Sequence, residues 1–267
     1  MKVVLAGVTG RMGQAILRQL DDDVAFVLAA AVERPGHLAC GSRVGQRVQV
    51  VVADDVQTAV RQGEVIVDFS HPALTMALIA EAQSVRRPMV IGTTGFTPED
   101  YEEIQRAARD IPVVLSPNMS VGVNVLLQLI DTATRALGDA YDAEILEIHH
   151  RHKQDAPSGT AIRMGEAIAD ARATALEQVC RLSRSGITLS RRVGEIGIQS
   201  LRAGDVVGEH TVTFAGPGER IELTHRAHSR DNFARGALLA ARWVVEQKPG
   251  LYDMLDVLHL RTDHKQE

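Results

Sequence analysis

Cysteine is scarce in this chain: Cys40 and Cys180 are the only two in 267 residues. Two distant thiols without CxxC spacing exclude a disulfide framework and a thiolate metal site, and a reducing cytoplasm is the expected compartment. Positive charge is also in deficit, with 29 lysines and arginines against 34 aspartates and glutamates. A net charge of −5 gives no general pull toward nucleic acid or anionic membrane, so neither is expected as a partner. Any anionic ligand must be held by local cations. Long apolar runs are missing as well. "MKVVLAGVTGRMG" is broken by glycine after a few residues, which excludes a signal-peptide core, and no later segment is apolar over the ~20 residues a membrane-spanning helix needs.

What is present is alternation. From Lys2 to about Asn118, short β-branched runs bounded by turn residues read as buried strands: "KVVLAG", "AFVLAAAVE", "VQVVVAD", "EVIVDFS", "RPMVIGTTG" and "IPVVLSPN". Helical patterns lie between several of them, among them "RMGQAILRQL", "PALTMALIAEAQSV" and "TPEDYEEIQRAARD", the last with Thr97 as N-cap and Pro98 at the first position. Strands apolar throughout and separated by helices predict an α/β fold, a Rossmann-type doubly wound parallel sheet covered on both faces.

Beyond Asn118 the pattern changes. "VGVNVLLQLIDTATRAL" and "SGTAIRMGEAIADARATAL" read as helices around the strand "AEILEIHH". "GIQSLRAG", "GEHTVTFAG" and "ERIELTHRAHS" tend to alternate, with "GPGE" as a turn, as antiparallel hairpins with one solvated face do. "RDNFARGALLAARWVVEQ" and "GLYDMLDVL" read as helical again. The expected plan is a dinucleotide-binding domain over 1–120 and 230–267. A substrate-binding α+β domain with a mixed or antiparallel sheet is expected over 121–229.

The first chemical constellation is "VVLAGVTGRMGQAI", with Gly7, Gly10 and Gly13 between the first strand and the first helix. Glycine there allows a tight turn and close approach of a pyrophosphate, which the free N–H groups and positive end of the helix attract. Glu33, twenty residues beyond Gly13 at the end of the second strand, suits the ribose hydroxyls of NAD. Arg34 next to it could clamp a 2′-phosphate, so use of both NADH and NADPH is expected; an ordinary loop arginine would look the same. "GTTG" (Gly92 to Gly95) and "SPNMS" (Ser116 to Ser120) each follow a strand at the sheet's carboxyl edge. They suit a nicotinamide and its ribose, or plain turn and cap chemistry.

The second constellation is "EIHHRHKQDAPSGTA", Glu147 to Ala161. His149 and His150 are adjacent on a strand and point to opposite faces, and no HExxH or clustered third ligand accompanies them, so no metal is expected. Arg151, His152 and Gln154 read as solvated. After Lys153, "DAPSGTA" forms a turn and a helix start whose N–H groups, at Gly159 and Thr160, make a nest for a carboxylate. A lysine and a histidine beside such a nest can hold a second carboxylate or supply a proton. The expected chemistry is proton transfer to a small anionic substrate next to a hydride donor.

Together with "AGVTGRMG", "VIVDFSHP", "VIGTTGF", "NMSVGVNV", "RAGDVVGEHTV" and "SRDNFARGAL", these residues resemble the 4-hydroxy-tetrahydrodipicolinate (dihydrodipicolinate) reductase family of the diaminopimelate route to lysine. The resemblance runs through nearly the whole chain. It implies NADH- or NADPH-dependent reduction of a small cyclic dicarboxylate, 4-hydroxy-tetrahydrodipicolinate, by a homotetramer assembled through the substrate domain. It implies that Gly7, Val8, Thr9, Gly10, Arg11 and Met12 form the pyrophosphate loop. Glu33 is implied as ribose contact and Arg34 as 2′-phosphate contact, while Gly92, Thr93, Thr94, Ser116, Pro117, Asn118 and Met119 line the nicotinamide side. His149 corresponds to the proton donor and Lys153 to a second acid and substrate ligand. His150 corresponds to a substrate ligand and Gly159 with Thr160 to the carboxylate cradle. Met119 stands where some members carry an aromatic residue, and Ser116-Pro117 replaces a common pair of alanines. The rival readings are another two-domain NAD(P)-dependent amino-acid dehydrogenase, a nucleotide-sensing regulator, for which no basic face is seen, and a metal hydrolase. Arg230 and Phe233 stay outside the expected site.

Overall fold

The computed structural model describes residues 1–187 and 189–261. The last part of the expected first domain, 262–267, lies outside the described residues. In chain order the elements are β1 (Lys2–Ala6), α1 (Arg11–Asp22), β2 (Val27–Val32), β3 (Arg43–Val44), β4 (Val50–Ala53), α2 (Val56–Gln62), β5 (Val65–Asp68), α3 (Pro72–Val85), β6 (Met89–Ile91), α4 (Pro98–Ala107) and β7 (Pro112–Leu115). Then come α5 (Val121–Leu137), β8 (Asp142–His149), α6 (Gly159–Ala171), α7 (Leu176–Val179), β9 (Cys180–Arg181), β10 (Ile196–Arg202), β11 (Gly208–Gly216) and β12 (Glu219–Ala227). The chain closes with α8 (Asp231–Val244), β13 (Gly250–Tyr252) and α9 (Met254–Val257). Two compact units result: Met1–Val121 with the chain from Arg230 onward, and Gly122–Ser229.

The first unit is built on one sheet in the order β13-β7-β6-β5-β1-β2-β4-β3. Every pairing is parallel except that of β3 with β4. Both faces of β1 are buried, because its period-2 alternation sends Val3 and Leu5 into one core and Val4 and Ala6 into another. Ile16 and Leu20 of α1 with Ala237, Ala241 and Val244 of α8 fill the first core. Val60 of α2, Leu78 and Ile79 of α3 and Ile104 of α4 fill the second. Helix α4 starts as its sequence dictates: Thr97 Oγ1 accepts from the N–H of Asp100, whose carboxylate accepts from the N–H of Thr97.

One expectation in this unit needs correction. Gly250–Tyr252 is a strand, not part of a helix, and pairs with Pro112–Val114 of β7. The open edge of β7 offers three backbone partners, and that ladder outweighs a helical preference three residues long. The helix begins only at Met254, after the N-cap Asp253, whose carboxylate accepts from the N–H groups of Leu255 and Asp256.

The second unit carries a mixed sheet in the order β12-β11-β8-β10-β9. The β11–β12 hairpin is antiparallel, as its alternation predicts, with Gly218 at φ +82° in the turn. The segment "GIQSLRAG" differs: β10 runs parallel to β8 over Ile196–Arg202 rather than forming an antiparallel hairpin. The cause is the connection, since α6 carries the chain back across the sheet between β8 and β10, as a parallel crossover requires. Ile145, Ile198, Val212 and Phe214 of the sheet pack with Ile130 of α5 and Met164 and Ile168 of α6. Ala143, Ile145, Glu147 and His149 of β8 are all buried while the residues between them are not. A carboxylate and an imidazole therefore continue the stripe that begins with alanine and isoleucine. No described helix is long and apolar enough to cross a membrane.

Candidate active site

In the first unit the glycines are there for space. Gly7 has φ +75°, and a Cβ on it would lie 2.3 Å from the carbonyl oxygen of Phe69. A Cβ on Gly13 would lie 2.1 Å from the carbonyl oxygen of Gly7, so helix α1 sits directly on the loop. Gly10 is the N-cap and offers no side-chain cap, and the first turn holds no acid. The N–H groups there, with exposed Arg11, fit an anionic group such as a pyrophosphate. Val8 is fully buried, so its side chain is withdrawn from the loop, and Met12 is partly buried against the core.

Glu33, at the end of β2, is buried, and its Oε1 accepts from both the N–H and the Oγ1 of Thr9, at 2.8 and 2.7 Å. Arg34 beside it is exposed. Farther along the carboxyl edge, fully buried Asp68 accepts from the hydroxyls of Ser70, Thr75 and Thr93. Burial pushes its carboxyl above the ordinary range, while those hydroxyls oppose the shift. Thr93 Oγ1 also accepts from the N–H of Ser70, so this hydroxyl is committed to the scaffold while Thr94 stays exposed. Gly92 must lack a side chain, since a Cβ there would lie 2.1 Å from the Phe69 ring. In the next loop Ser116 Oγ donates to the carbonyl of Asn118, whose Oδ1 accepts from the N–H of Ser120. Pro117 is exposed, but the Met119 side chain is buried in the core, leaving its backbone to the loop. Arg230 and Phe233 sit at the start of α8, with Asn232 3.4 Å from Ser120 Oγ.

The second unit gathers a denser cluster. Glu147 is fully buried, and its carboxylate accepts from four directions. His149 Nδ1 lies against Oε2; Arg202 Nη1 donates to both oxygens at 2.9 and 3.0 Å; the N–H of Ser158 donates at 3.2 Å, and the Ser200 hydroxyl adds a fourth bond. Burial alone would raise this carboxyl, but the bonds from His149, Ser200 and Arg202 outweigh it and hold it below the usual range. His149 moves down too: burial disfavours its cationic form, as do Lys153 and Arg202, against the pull of Glu147. Glu147 is therefore ionised and His149 neutral near pH 7. The His210 ring meets the His149 ring edge to face, centroids 5.1 Å apart, and its Nε2 lies 2.9 Å from Ser158 Oγ. Burial and the neighbouring His149 push His210 down to about 3.

The Lys153 ammonium, 2.9 Å from Asp155, lies in the loop between β8 and α6. Ser158 caps α6, its Oγ accepting from the N–H of Ala161, and Gly159 and Thr160 form the first turn, with Gly159 exposed. His150 is half-buried; its Nδ1 is buried with no hydrogen-bond partner, and Arg151, His152 and Gln154 are exposed. No group of three metal-ligating side chains is gathered among the described residues. His149, Lys153 and the α6 N-terminus thus share one end of the second unit's sheet. Glu147, Arg202 and His210 carry no expected role in the sequence reading, although the spacing of Glu147 and His149 on one strand puts them on the same face.

Two models of the same family match the chain: Dihydrodipicolinate reductase, N-terminus, over residues 1–119, and its C-terminus over residues 122–258. The chain belongs to the dihydrodipicolinate reductase family. A 4-hydroxy-tetrahydrodipicolinate reductase of Nitrosomonas europaea is 49% identical over 98% of this chain and 99% of the relative. One from Syntrophus aciditrophicus is 47% identical over 98% of this chain and 100% of the relative. Among solved structures, a dipicolinate-bound dihydrodipicolinate reductase from Paenisporosarcina sp. TG-14 shares the fold with a TM-score of 0.78 at 23% identity, covering 96% of this chain and 98% of that one. A probable aspartate-semialdehyde dehydrogenase from Pseudomonas aeruginosa shares less of it, at a TM-score of 0.58 and 12% identity, over 92% of this chain and 99% of that one.

Proposed function

We propose that this protein reduces 4-hydroxy-tetrahydrodipicolinate to tetrahydrodipicolinate with NADH or NADPH, in the route to diaminopimelate and lysine. The observation that carries the reading is an imidazole, a lysine and a helix N-terminus at one end of the second unit's sheet, in a chain of this family. A ring dicarboxylate needs two anion sites and a proton source, and these groups supply all three.

When bound, a reduced nicotinamide supplies the hydride. The ring gives up its 4-hydroxyl as water and gains one hydride and one proton. His149 delivers that proton from Nε2, having taken it up as the substrate's negative charge arrives beside it. Lys153 assists as second acid and holds one carboxylate, the N–H groups of Gly159 and Thr160 hold the other, and His150 turns its ring to the substrate. In the first unit the backbone from Gly7 to Met12 and the Arg11 side chain hold the pyrophosphate. Glu33 takes the ribose, Arg34 a 2′-phosphate, and the Gly92–Thr94 and Ser116–Met119 loops the nicotinamide side.

The chain assembles into a homotetramer through Gly122–Ser229 in the cytoplasm. Supporting association through this unit are apolar side chains that it leaves in solvent, among them Leu201 and Ile221 on its strands and Leu182 and Val193 in the loop between β9 and β10. The experiment mixes the purified protein with freshly generated 4-hydroxy-tetrahydrodipicolinate and follows oxidation of NADH, then NADPH, with Lys153→Ala alongside. Rapid oxidation that collapses in the variant supports the reading. Tight NADH binding without oxidation by the parent protein removes this substrate.

A further inference from the structure

Glu147 is a fully buried carboxylate that faces the candidate acid, and the roles proposed above leave it unused. A lone buried carboxylate is costly, and this one is compensated from two strands and the start of a helix. His149 comes from its own strand β8, Ser200 and Arg202 from β10, and the N–H of Ser158 from the cap of α6. His210 of β11 reaches the same cluster through Ser158 Oγ. Arg202 does more than neutralise. Its Nε donates to the carbonyl of Lys153 at 3.3 Å and its Nη2 to the carbonyl of Asp155 at 2.5 Å, so one guanidinium joins the carboxylate to the loop that carries the lysine.

We propose that Glu147 and Arg202 are a positioning pair, Glu147 fixing the tautomer and ring orientation of His149 while Arg202 fixes the loop that presents Lys153. The inference rests on the roles given to His149 and Lys153 under the proposed function. An ionised carboxylate only accepts, so the proton of neutral His149 resides on Nδ1 and Nε2 is left with its lone pair outward. That nitrogen points toward Gly208 of β11, where a Cβ would lie 2.9 Å away, so glycine keeps the reactive side of the ring clear. Arg202 has a second effect. By sharing both oxygens of Glu147 it tempers the pull of the anion on the imidazole, which also faces the charges of Lys153 and the neutral ring of His210. The free site keeps a neutral imidazole that gains its proton with the dianionic ligand.

The test uses the full-length protein with histidine ring nitrogens labelled with ¹⁵N. In the parent, His149 is expected as the Nδ1–H tautomer near pH 7, and dipicolinate, a stable ring dicarboxylate, is expected to convert it to the doubly protonated form. In Glu147→Gln the Nδ1–H signature is expected to be lost, and kcat to fall at least tenfold with NADH affinity unchanged. In Arg202→Lys the tautomer is expected to persist while KM for the ring substrate rises about tenfold and kcat changes little. A folded Glu147→Gln protein that keeps the parent tautomer and parent kcat overturns the proposal. If Glu147→Gln does not fold, Arg202→Lys decides alone: parent KM overturns the proposal, and a raised KM with the Nδ1–H form retained upholds it. The tautomer readout needs no turnover, so a parent protein that fails to reduce the substrate sinks the proposed function while leaving the positioning pair to stand or fall by its spectrum.

Discussion

Thr9 in the glycine loop donates twice, from its N–H and its Oγ1, to the same oxygen of Glu33 at the end of β2. The glycine loop and the acid proposed to take the ribose are therefore tied together directly. Among the described residues Oε2 of Glu33 accepts no bond, which leaves it to accept from a ribose hydroxyl. Charge-assisted bonds of this kind contribute roughly 1.5–3 kcal/mol, so Glu33→Ala is expected to weaken NADH binding about 10- to 100-fold in a fluorescence titration. Arg34→Ala is expected to weaken NADPH far more than NADH, because only the former carries a 2′-phosphate for its exposed guanidinium.

Gly13→Ala should abolish cofactor binding while the second unit stays folded. The new methyl would stand 2.1 Å from the Gly7 carbonyl and 2.7 Å from Val8 Cα, both backbone atoms that cannot yield cheaply. Calorimetry with NADH checks binding, and circular dichroism checks that folded structure persists.

His149→Gln is expected to lower kcat by ~10²- to 10⁴-fold, the range for removal of a placed general acid. Burial and the cations Lys153 and Arg202 set its free-enzyme pKa below the ordinary histidine value. The acid must be protonated to act, so kcat/KM should decline as pH rises above that lowered value. Bound substrate carboxylates favour the imidazolium, so the corresponding limb of kcat should lie at higher pH. Paired pH profiles of the two constants make the comparison, and coincident limbs would contradict the coupling of proton and substrate.

Gly208→Ala is expected to lower kcat without disturbing NADH affinity. Its methyl would press on His149 Nε2 at 2.9 Å and displace the ring from the position Glu147 sets. Steady-state kinetics beside a fluorescence titration separates the two effects.

His210 predicts acid sensitivity. Its folded pKa of about 3 lies below the ordinary 6.5, so between those values the unfolded chain holds a proton that the native state refuses. Stability present above pH 6.5 is lost as pH falls toward 3, by up to on the order of 4 kcal/mol from this group. His210→Asn should flatten the decline of melting temperature between pH 6.5 and 4, measured against the parent.

The parallel sheet was legible in the sequence because its strands are apolar on both sides and its helices carry their own start signals, as Thr97 and Pro98 show. Gly7 and Gly13 were legible for a similar reason: a backbone contact that excludes a Cβ leaves glycine as its trace. Gly250–Tyr252 was not, since a three-residue strand is defined by the edge it joins rather than by its own residues. Nor was the parallel course of β10, which depends on where α6 delivers the chain. In the candidate site, His149, Lys153 and the helix start lie within twelve residues and could be read together. Arg202 and His210 come to them from other strands through pairings such as Arg202 with His149 and His210 with Glu147, which local sequence does not encode. Thr93 and Met119 show the converse limit, for the sequence marks their loops but not that the hydroxyl of one and the side chain of the other face inward.

The return of the chain after Ser229 has a consequence for biosynthesis. Helix α8 supplies Ala237, Ala241 and Val244 to the core that also holds Ile16 and Leu20 of α1, and β13 closes the edge of β7. During translation, residues 1–121 emerge from the ribosome with one side of their sheet short of its cover and with β7 as an open edge. The described strands and helices of the middle unit are all present in the chain once Ser229 has been made. The part of the protein synthesised first is thus the last to be finished, and a nascent chain stalled before Arg230 would be the form most exposed to proteases and to edge-to-edge aggregation.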